Sequence, residues 1–186
     1  MSARIVAFPG TTAQRPQLDV VYEAEVDWVV QTLRRLGVPE RDQDDLAHDL
    51  FVVVHRRLAD YDPTRPIRPW LFGIAFRLVS DHRRRVRHHR EQSVAVSDEA
   101  ADPRSTIDAQ AHARHALGLV ARALDQLDYE RRAVFVMHEL DGFSIPEIAK
   151  VIDAPLNTLY SHLRRARQQF RAAVEALGIE PEADHG

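Results

Sequence analysis

A run of polar and basic side chains near the C-terminus has the composition of a DNA-binding surface. The helical period places these residues on one face: Asn157, Thr158, Tyr160, Ser161, Arg164, Arg165 and Arg167. Arginine can grip a guanine edge or a phosphate, and small polar side chains let a helix approach closely. The simpler alternative is a helical hairpin whose arginines are merely solvated.

The flanking residues predict the elements that would position this face. Ser144 can cap a helix and Glu147 can complete a capping box. The segment 153–155 (Asp-Ala-Pro) should break that helix, because a residue before proline is pushed away from helical angles. The next helix then buries an apolar stripe formed by Leu159, Leu163, Ala166, Phe170 and Val174. The pattern predicts a helix-turn-helix whose second helix enters the major groove.

Charge is strongly segregated although the formal net charge is only −3. Residues 77–90 carry six arginines against one aspartate, whereas residues 19–62 carry eleven acids against five arginines. Nucleic-acid binding follows local patches rather than the total charge. The arginine cluster therefore predicts a second DNA contact, and the acidic region suggests a surface for a different partner.

Composition bounds the class of protein. In 186 residues, 45% are hydrophobic and only seven are glycine, which favours packed helical domains. The absence of cysteine excludes disulfides, thiol catalysis and cysteine zinc sites. No apolar run is long enough to cross a bilayer, and the N-terminus lacks a signal-peptide core. A cytoplasmic location is expected.

The chain is predicted to be all-α, with two small helical domains joined by a flexible acidic linker and a helix-turn-helix in the C-terminal one. The predicted segments are a mobile tail over 1–18, a domain over 19–90, a linker over 91–106, a domain over 107–178 and a tail over 179–186. Asp42 or Asp44 is expected to cap the second helix. A proline-rich loop over 60–69 should precede a third helix opened by Trp70.

This arrangement resembles the bacterial extracytoplasmic-function (group IV) sigma factors over roughly residues 19–175. Residues 45–51 (DLAHDLF) look like their polymerase-binding helix, and residues 62–66 with 68–75 look like their promoter −10 segment. Residues 123–127, 131–135, 147–149 and 155–159 match their −35-binding domain. Two independent motifs in the right order make the match specific.

The resemblance implies a function, promoter-specific transcription initiation, and a role for each motif. The implied contacts with core RNA polymerase are Asp45, Leu46, His48, Asp49, Leu50 and Phe51. The implied −10 contacts are Tyr61, Arg65, Arg68, Arg77, Arg83, Arg84, Arg85 and Arg87. The implied −35 contacts are the seven residues of the C-terminal basic face. Tyr61 could hold an extruded base or simply pack under its loop, and Leu50 and Phe51 could be core.

The resemblance also implies the partners. The first domain would dock on the clamp helices of the largest polymerase subunit, and the second on the flap of the second-largest subunit. Promoter DNA and a sequestering anti-sigma factor complete the set, with the free protein monomeric or bound 1:1 to that factor. No cofactor, metal or catalytic residue is implied, and the factor itself is not an enzyme.

Four positions depart from the family pattern. Arg77 replaces a common asparagine, and His48 follows an alanine where a glutamine-centred pair is usual. Asn157 replaces a glycine, and Tyr160 replaces a basic residue. The base preference at both promoter elements is therefore not predicted.

Three other functions compete with this prediction. A stand-alone helix-turn-helix regulator explains the C-terminal half but not the Trp70 segment with its arginine helix. A histidine-aspartate phosphohydrolase could use His48 and Asp49 as metal ligands, yet it needs further converging ligands. A pure interaction adaptor would show no promoter-dependent transcription.

Overall fold

The computed structural model describes residues 16–92 and 118–178, and every regular element in these ranges is helical. The helices are α1 (Leu18–Arg35), α2 (Glu40–Arg57), α3 (Ile67–Gln92), α4 (118–124 within the described part), α5 (Tyr129–Phe135), α6 (Ile145–Ile152) and α7 (Leu156–Ala176). This confirms the all-α prediction. Most of the predicted tails, the linker residues 93–106 and the start of the second domain lie outside the described residues, so those boundaries stay predictions.

α1, α2 and α3 pack together as an N-terminal half. α1 ends in a Schellman motif, in which Gly37 has a φ of +87° and the Val38 amide donates to the Leu33 carbonyl at 3.1 Å. The predicted cap of α2 is wrong, because Pro39 occupies that position and α2 begins at Glu40. Proline is compatible with this N-cap position because the amide of an N-cap residue makes no hydrogen bond within the helix.

α3 begins three residues before the predicted Trp70, at Ile67. Pro69 therefore lies inside the first turn, where the missing amide proton costs no helical hydrogen bond. The proline-rich stretch thus divides into an ordered loop and the start of a helix. α3 is the longest described helix, with 26 residues, and it carries the arginine cluster.

The C-terminal half contains α4 to α7. α5 continues as a π-helical turn over Val136–Leu140 before Gly142, at a φ of +76°, turns the chain towards α6. α5 packs along α7, and α6 packs across both α7 and α3. The contact between α6 and α3 joins the two halves, whose buried side chains form one continuous apolar cluster.

None of the helices described is long and apolar enough to cross a membrane.

Candidate DNA and polymerase interfaces

The helix-turn-helix forms as the sequence predicts. The Ser144 amide and hydroxyl both donate to the Glu147 carboxylate, at 2.8 and 2.6 Å, so the N-terminus of α6 is capped. These two hydrogen bonds from Ser144 hold the pKa of Glu147 below its ordinary value. Asp153 ends α6 in the left-handed conformation, with a φ of +53°, and Pro155 precedes the first residue of α7.

α7 separates its apolar and polar residues as expected. Leu159, Leu163 and Ala166 are buried. Of the predicted −35 face, Ser161 is half-buried and the other six residues are exposed: Asn157, Thr158, Tyr160, Arg164, Arg165 and Arg167. Tyr160 is 56% exposed, the largest value among the exposed bulky apolar and aromatic side chains described. The face is therefore open to solvent at its N-terminal end, where a recognition helix meets base edges.

Arg167 differs from the other arginines of this face. Its guanidinium contacts the Glu139 carboxylate at 2.7 Å, which ties α7 to the π-turn below it. An exposed ion pair of this kind contributes about 0–1 kcal/mol to stability. The ion pair nevertheless directs the Arg167 side chain towards Glu139, so Arg167 already has a partner within the protein.

The loop before α3 is held by its own polar groups. Asp62 accepts hydrogen bonds from the Thr64 hydroxyl at 2.6 Å and the Thr64 amide at 3.0 Å, and these keep the pKa of Asp62 below its ordinary value. The exposed Arg65 contacts the same carboxylate at 3.2 Å. These contacts give the loop a defined turn around the Asp62 carboxylate.

Tyr61 packs beneath this loop rather than projecting from it. Its ring is 8% exposed and lies 5.1 Å from the Trp70 ring, and its hydroxyl donates to the Arg65 carbonyl. Burial raises the pKa of the Tyr61 hydroxyl. Of the two roles left open for Tyr61, the structure supports packing, although one ring edge lines the cleft beside Trp70 and Arg77.

The predicted −10 arginines of α3 divide into those that contact other helices and those that lie exposed along α3. Arg68 pairs with the buried Glu25 at 2.8 Å and lies 5.5 Å from the Trp28 ring. Arg77 donates to the Val151 carbonyl, and Arg83 lies over the Tyr129 ring. Arg84, Arg85 and Arg87 are exposed along the next turns, and Arg84 contacts the Asp81 carboxylate at 4.0 Å.

The predicted polymerase contacts on α2 also fall into two groups, one buried and one exposed. Leu46, Leu50 and Phe51 are buried in the core of the N-terminal half. Asp45, His48 and Asp49 are exposed on the outer face of α2. Only the exposed polar members can contact a partner directly, whereas the buried apolar members position them.

One exposed aromatic side chain beside α2 has no predicted role. Tyr22 on α1 is 48% exposed, and its ring meets the Phe51 ring edge-on at 4.7 Å. Only the packing of α1 against α2 shows that its ring is at the surface.

Three further residues without a predicted role connect the two halves. Arg132 is 5% exposed, and burial lowers its pKa; Asp141 is largely buried, and burial raises its pKa. Tyr129 is buried against α3. The sequence gives one indication of this burial, since Arg132 directly precedes the apolar run 133–137. An arginine at the edge of such a run is seldom buried unless its charge is paired.

No group of three or more potential metal ligands occurs within 16–92 and 118–178. His48 and Asp49 are exposed on α2, and no further ligand converges on them there.

Comparison with known proteins agrees with this geometry. The sigma-70 region 2 family matches residues 21–89, and the sigma-70 region 4 family matches residues 117–170. The chain is 34% identical over 159 residues to CnrH, an RNA polymerase sigma factor of Cupriavidus metallidurans, covering 80% of this chain and 81% of CnrH. It is 29% identical to SigE, an ECF RNA polymerase sigma factor of Mycolicibacterium smegmatis, covering 87% of this chain and 63% of SigE.

A solved structure of CnrH in complex with the cytosolic domain of CnrY is also similar. The likeness has a TM-score of 0.61 at 29% sequence identity, and it covers 86% of this chain and 88% of CnrH in that structure. Both matched regions, in this order and on these helices, identify the protein. The chain belongs to the sigma-70 family of RNA polymerase sigma factors, in its extracytoplasmic-function group.

Proposed function

We propose that this sigma factor directs promoter-specific initiation through three separate surfaces. The outer face of α2 contacts core RNA polymerase, the 61–87 segment contacts the −10 element, and the N-terminal face of α7 reads the −35 element. The observation that carries the proposal is the presence of exposed arginines on two different helices, α3 and α7, in one chain. A stand-alone helix-turn-helix regulator needs only the arginines of α7.

At the −35 element, base reading falls to the first turns of α7. Asn157, Thr158 and Tyr160 precede the arginines and are exposed. Tyr160 can stack or contact a thymine methyl, whereas Arg164 and Arg165 can reach guanine or phosphate. Arg167, already paired with Glu139, acts as a support for α7.

At the −10 element, the exposed arginines of α3 and the arginines that contact other helices have different roles. Arg84, Arg85 and Arg87 neutralise phosphates, which makes binding salt-dependent. Arg68 with its buried partner Glu25 stabilises the start of α3. Trp70 and Tyr61 form the aromatic wall of the cleft that receives the base.

At the polymerase, the exposed Asp45, His48 and Asp49 of α2 supply the polar rim of the contact, and Tyr22, the exposed ring beside Phe51, adds an aromatic side chain. Complementary charge at such a rim speeds association and excludes wrong partners. We place the docking sites on the clamp helices of the largest subunit and, for the C-terminal half, on the flap of the second-largest subunit. The factor performs no catalysis itself, and it acts in the cytoplasm with the polymerase.

An anti-sigma factor is the inferred regulator. CnrH was solved with the cytosolic domain of CnrY, and the likeness to that structure covers both halves of this chain. We infer that a protein of the same kind binds this chain 1:1 when it is free of polymerase.

Selection from a random duplex library tests the proposal against a stand-alone regulator. The purified chain is offered the library with and without core polymerase, and the bound DNA is sequenced. A sigma factor enriches a two-element motif only when core is present. Equal enrichment by the chain alone would instead establish a regulator that binds duplex DNA by itself.

A further inference from the structure

We propose that a basic cleft behind α3 binds a small anion made of linked phosphate groups, such as an inorganic or a nucleotide triphosphate. The cleft has a volume of about 440 Å³, and one of its walls is the C-terminal part of α3. The opposite wall consists of the turn before α5, the first turn of α5 and His162 of α7. Four arginines and one histidine line the cleft against two acids, so its electrostatic potential favours an anion.

The α3 wall carries a row of arginines on one helix face. Arg83 and Arg87 are four residues apart and therefore neighbours on this face, and Arg84 lies beside them. At about 1.5 Å of rise per residue, positions 83 and 87 are separated by about 6 Å along the helix axis. Like charges at this spacing repel each other and destabilise a helix. An anion with charge distributed along its length would offset the repulsion at both positions.

An aromatic ring holds Arg83 at the cleft. The Arg83 guanidinium carbon lies 5.1 Å from the centre of the Tyr129 ring. The Tyr129 ring is itself fixed, because it stacks on the Phe76 ring at 5.1 Å and its hydroxyl donates to the Phe76 carbonyl at 2.6 Å. A cation–π contact does not neutralise the guanidinium, so the charge of Arg83 stays available to a phosphate.

The opposite wall adds hydrogen-bond donors, and one of its two acids is already paired. Arg131 contacts the Asp128 carboxylate at 2.8 Å and donates to the Gln169 side chain at 3.2 Å. His162 is half-buried, and its imidazole carries a ring N–H in either charge state. Glu130 is exposed, and its charge opposes the binding of an anion. Removal of the Glu130 charge should therefore strengthen the binding of an anion in this cleft.

The types and spacing of the donors indicate the class of ligand. The planar guanidinium fork matches pairs of phosphate oxygens, which is why arginine is so common in phosphate sites. A single phosphate would use only part of a row that spans one helical turn, whereas linked phosphates place charge along all of it. Phe76 and Arg83 cover the Tyr129 ring, so this ring is not available to stack on a nucleobase. The cleft therefore suits the phosphate chain rather than a base.

The cleft shares three arginines with the proposed −10 surface: Arg83, Arg84 and Arg87. A bound polyphosphate would withhold them from promoter phosphates, and this consequence rests on the proposed function. The binding of the anion itself depends only on the lining of the cleft. It is measured on the free chain without promoter DNA, so a failure to bind would leave the proposed function intact.

Isothermal titration calorimetry of the full chain with inorganic triphosphate tests the site. The titration is done without magnesium and at about 0.15 M salt, where charges more than about 8 Å apart are largely screened. We expect saturation at one triphosphate per chain and a higher melting temperature in its presence. Arg87→Ala should weaken binding about tenfold, the usual effect of losing a hydrogen bond to a charged group. His162→Ala should also weaken it, and circular dichroism checks that each variant keeps its helices.

Two matched controls separate the cleft from the general basic surface of α3. Arg85→Ala removes the same charge from the same helix, but Arg85 does not line the cleft, so triphosphate affinity should change less than about twofold. Glu130→Gln should tighten binding, whereas Glu175→Gln, an equal charge change on α7, should not. Equal losses in Arg85→Ala and Arg87→Ala, or full affinity in His162→Ala, would overturn the assignment to this cleft. A Glu130→Gln variant that binds no more tightly than Glu175→Gln would do the same.

Titrations with orthophosphate, ATP and adenosine identify the part of the ligand that is recognised. Orthophosphate should bind much more weakly than triphosphate, and adenosine should not bind. ATP that binds as tightly as triphosphate would support a nucleotide as the source of the phosphate chain, whereas much weaker ATP binding would support an inorganic polyphosphate. Equal affinity for orthophosphate and triphosphate would overturn the preference for linked phosphates. Absence of saturable triphosphate binding to the unchanged chain would overturn the site as a whole.

Discussion

At the scale of single residues, the arginines divide by what they contact rather than by where they lie in the sequence. Arg132 is buried beside Asp125, whereas Arg164 and Arg165 extend into solvent from α7. An arginine that is paired in the free protein must lose that contact before it binds a phosphate. The net binding free energy from the phosphate contact is therefore smaller. The free arginines are therefore the best positions for testing DNA recognition.

Replacement of Arg165 by alanine should weaken −35-dependent transcription and leave core binding unchanged. Loss of one base contact costs about 1–3 kcal/mol, and loss of one phosphate contact lowers the salt dependence of binding by about one unit. Transcription at two salt concentrations and a core-binding titration measure both effects. Arg122→Ala, an exposed arginine on α4, serves as the control. Equal loss of core binding would remove Arg165 from the −35 surface.

Asp49→Ala should lower the affinity for core polymerase more than it affects DNA contact. Asp49 is exposed, so its replacement leaves the packing of α2 intact and removes only a rim charge. Fluorescence titration of labelled protein with core measures the affinity, with Glu175→Ala on α7 as the control. An unchanged affinity would show that this surface is wrongly placed. Phe51 is a poor position for this test, because its ring is buried and its replacement by alanine would destabilise the fold.

At the scale of elements, the helix-turn-helix depends on the capped start of α6. The Ser144 side chain and the Glu147 carboxylate close this end, and α6 then buries Ile145 and Ile148. α6 has only eight residues, so end effects make up a large part of its stability. The geometry of α7 relative to DNA follows from this short helix.

Ser144→Ala should destabilise the protein by about 1 kcal/mol, the usual cost of losing an N-cap. The loss should also depend on pH. The pKa of Glu147 is lower in the folded protein than its ordinary value of 4.5. The ionised Glu147 carboxylate therefore adds its full contribution to the free energy of unfolding above pH 4.5. That contribution disappears as the pH falls through the pKa of the folded state. Urea unfolding at neutral and acidic pH measures this. If the difference in free energy of unfolding between wild type and Ser144→Ala did not shrink in acid, the role of Ser144 in capping α6 would be contradicted.

Local chemistry explains which elements the sequence could predict. The break at Asp153–Pro155 and the capping box at Ser144 depend on neighbouring residues, and both are confirmed. The cap of α2 was predicted wrongly because aspartate is favoured in a first turn as well as at the N-cap, and Pro39 already starts that helix. The residues of the predicted −35 face lie along one side of α7 because one helical period relates them, whereas their contact with the −35 element stays a prediction.

At the scale of the whole molecule, the contact between the halves could not be predicted from local patterns. Tyr129 and Phe76 are far apart in sequence, and their hydrogen bond exists only because α5 packs on α3. The same packing accounts for the burial of Arg132. The family resemblance implies two domains and their order, whereas the pairing of their faces depends on packing between helices that are distant in sequence.

The central claim is that this chain gives RNA polymerase its choice of promoters. The most direct test is to combine the purified protein with core polymerase, transcribe genomic DNA, and sequence the transcript starts. We expect initiation at a restricted set of sites that share two elements at fixed spacing, upstream of each start. A pattern of starts no different from that of core polymerase alone would contradict it.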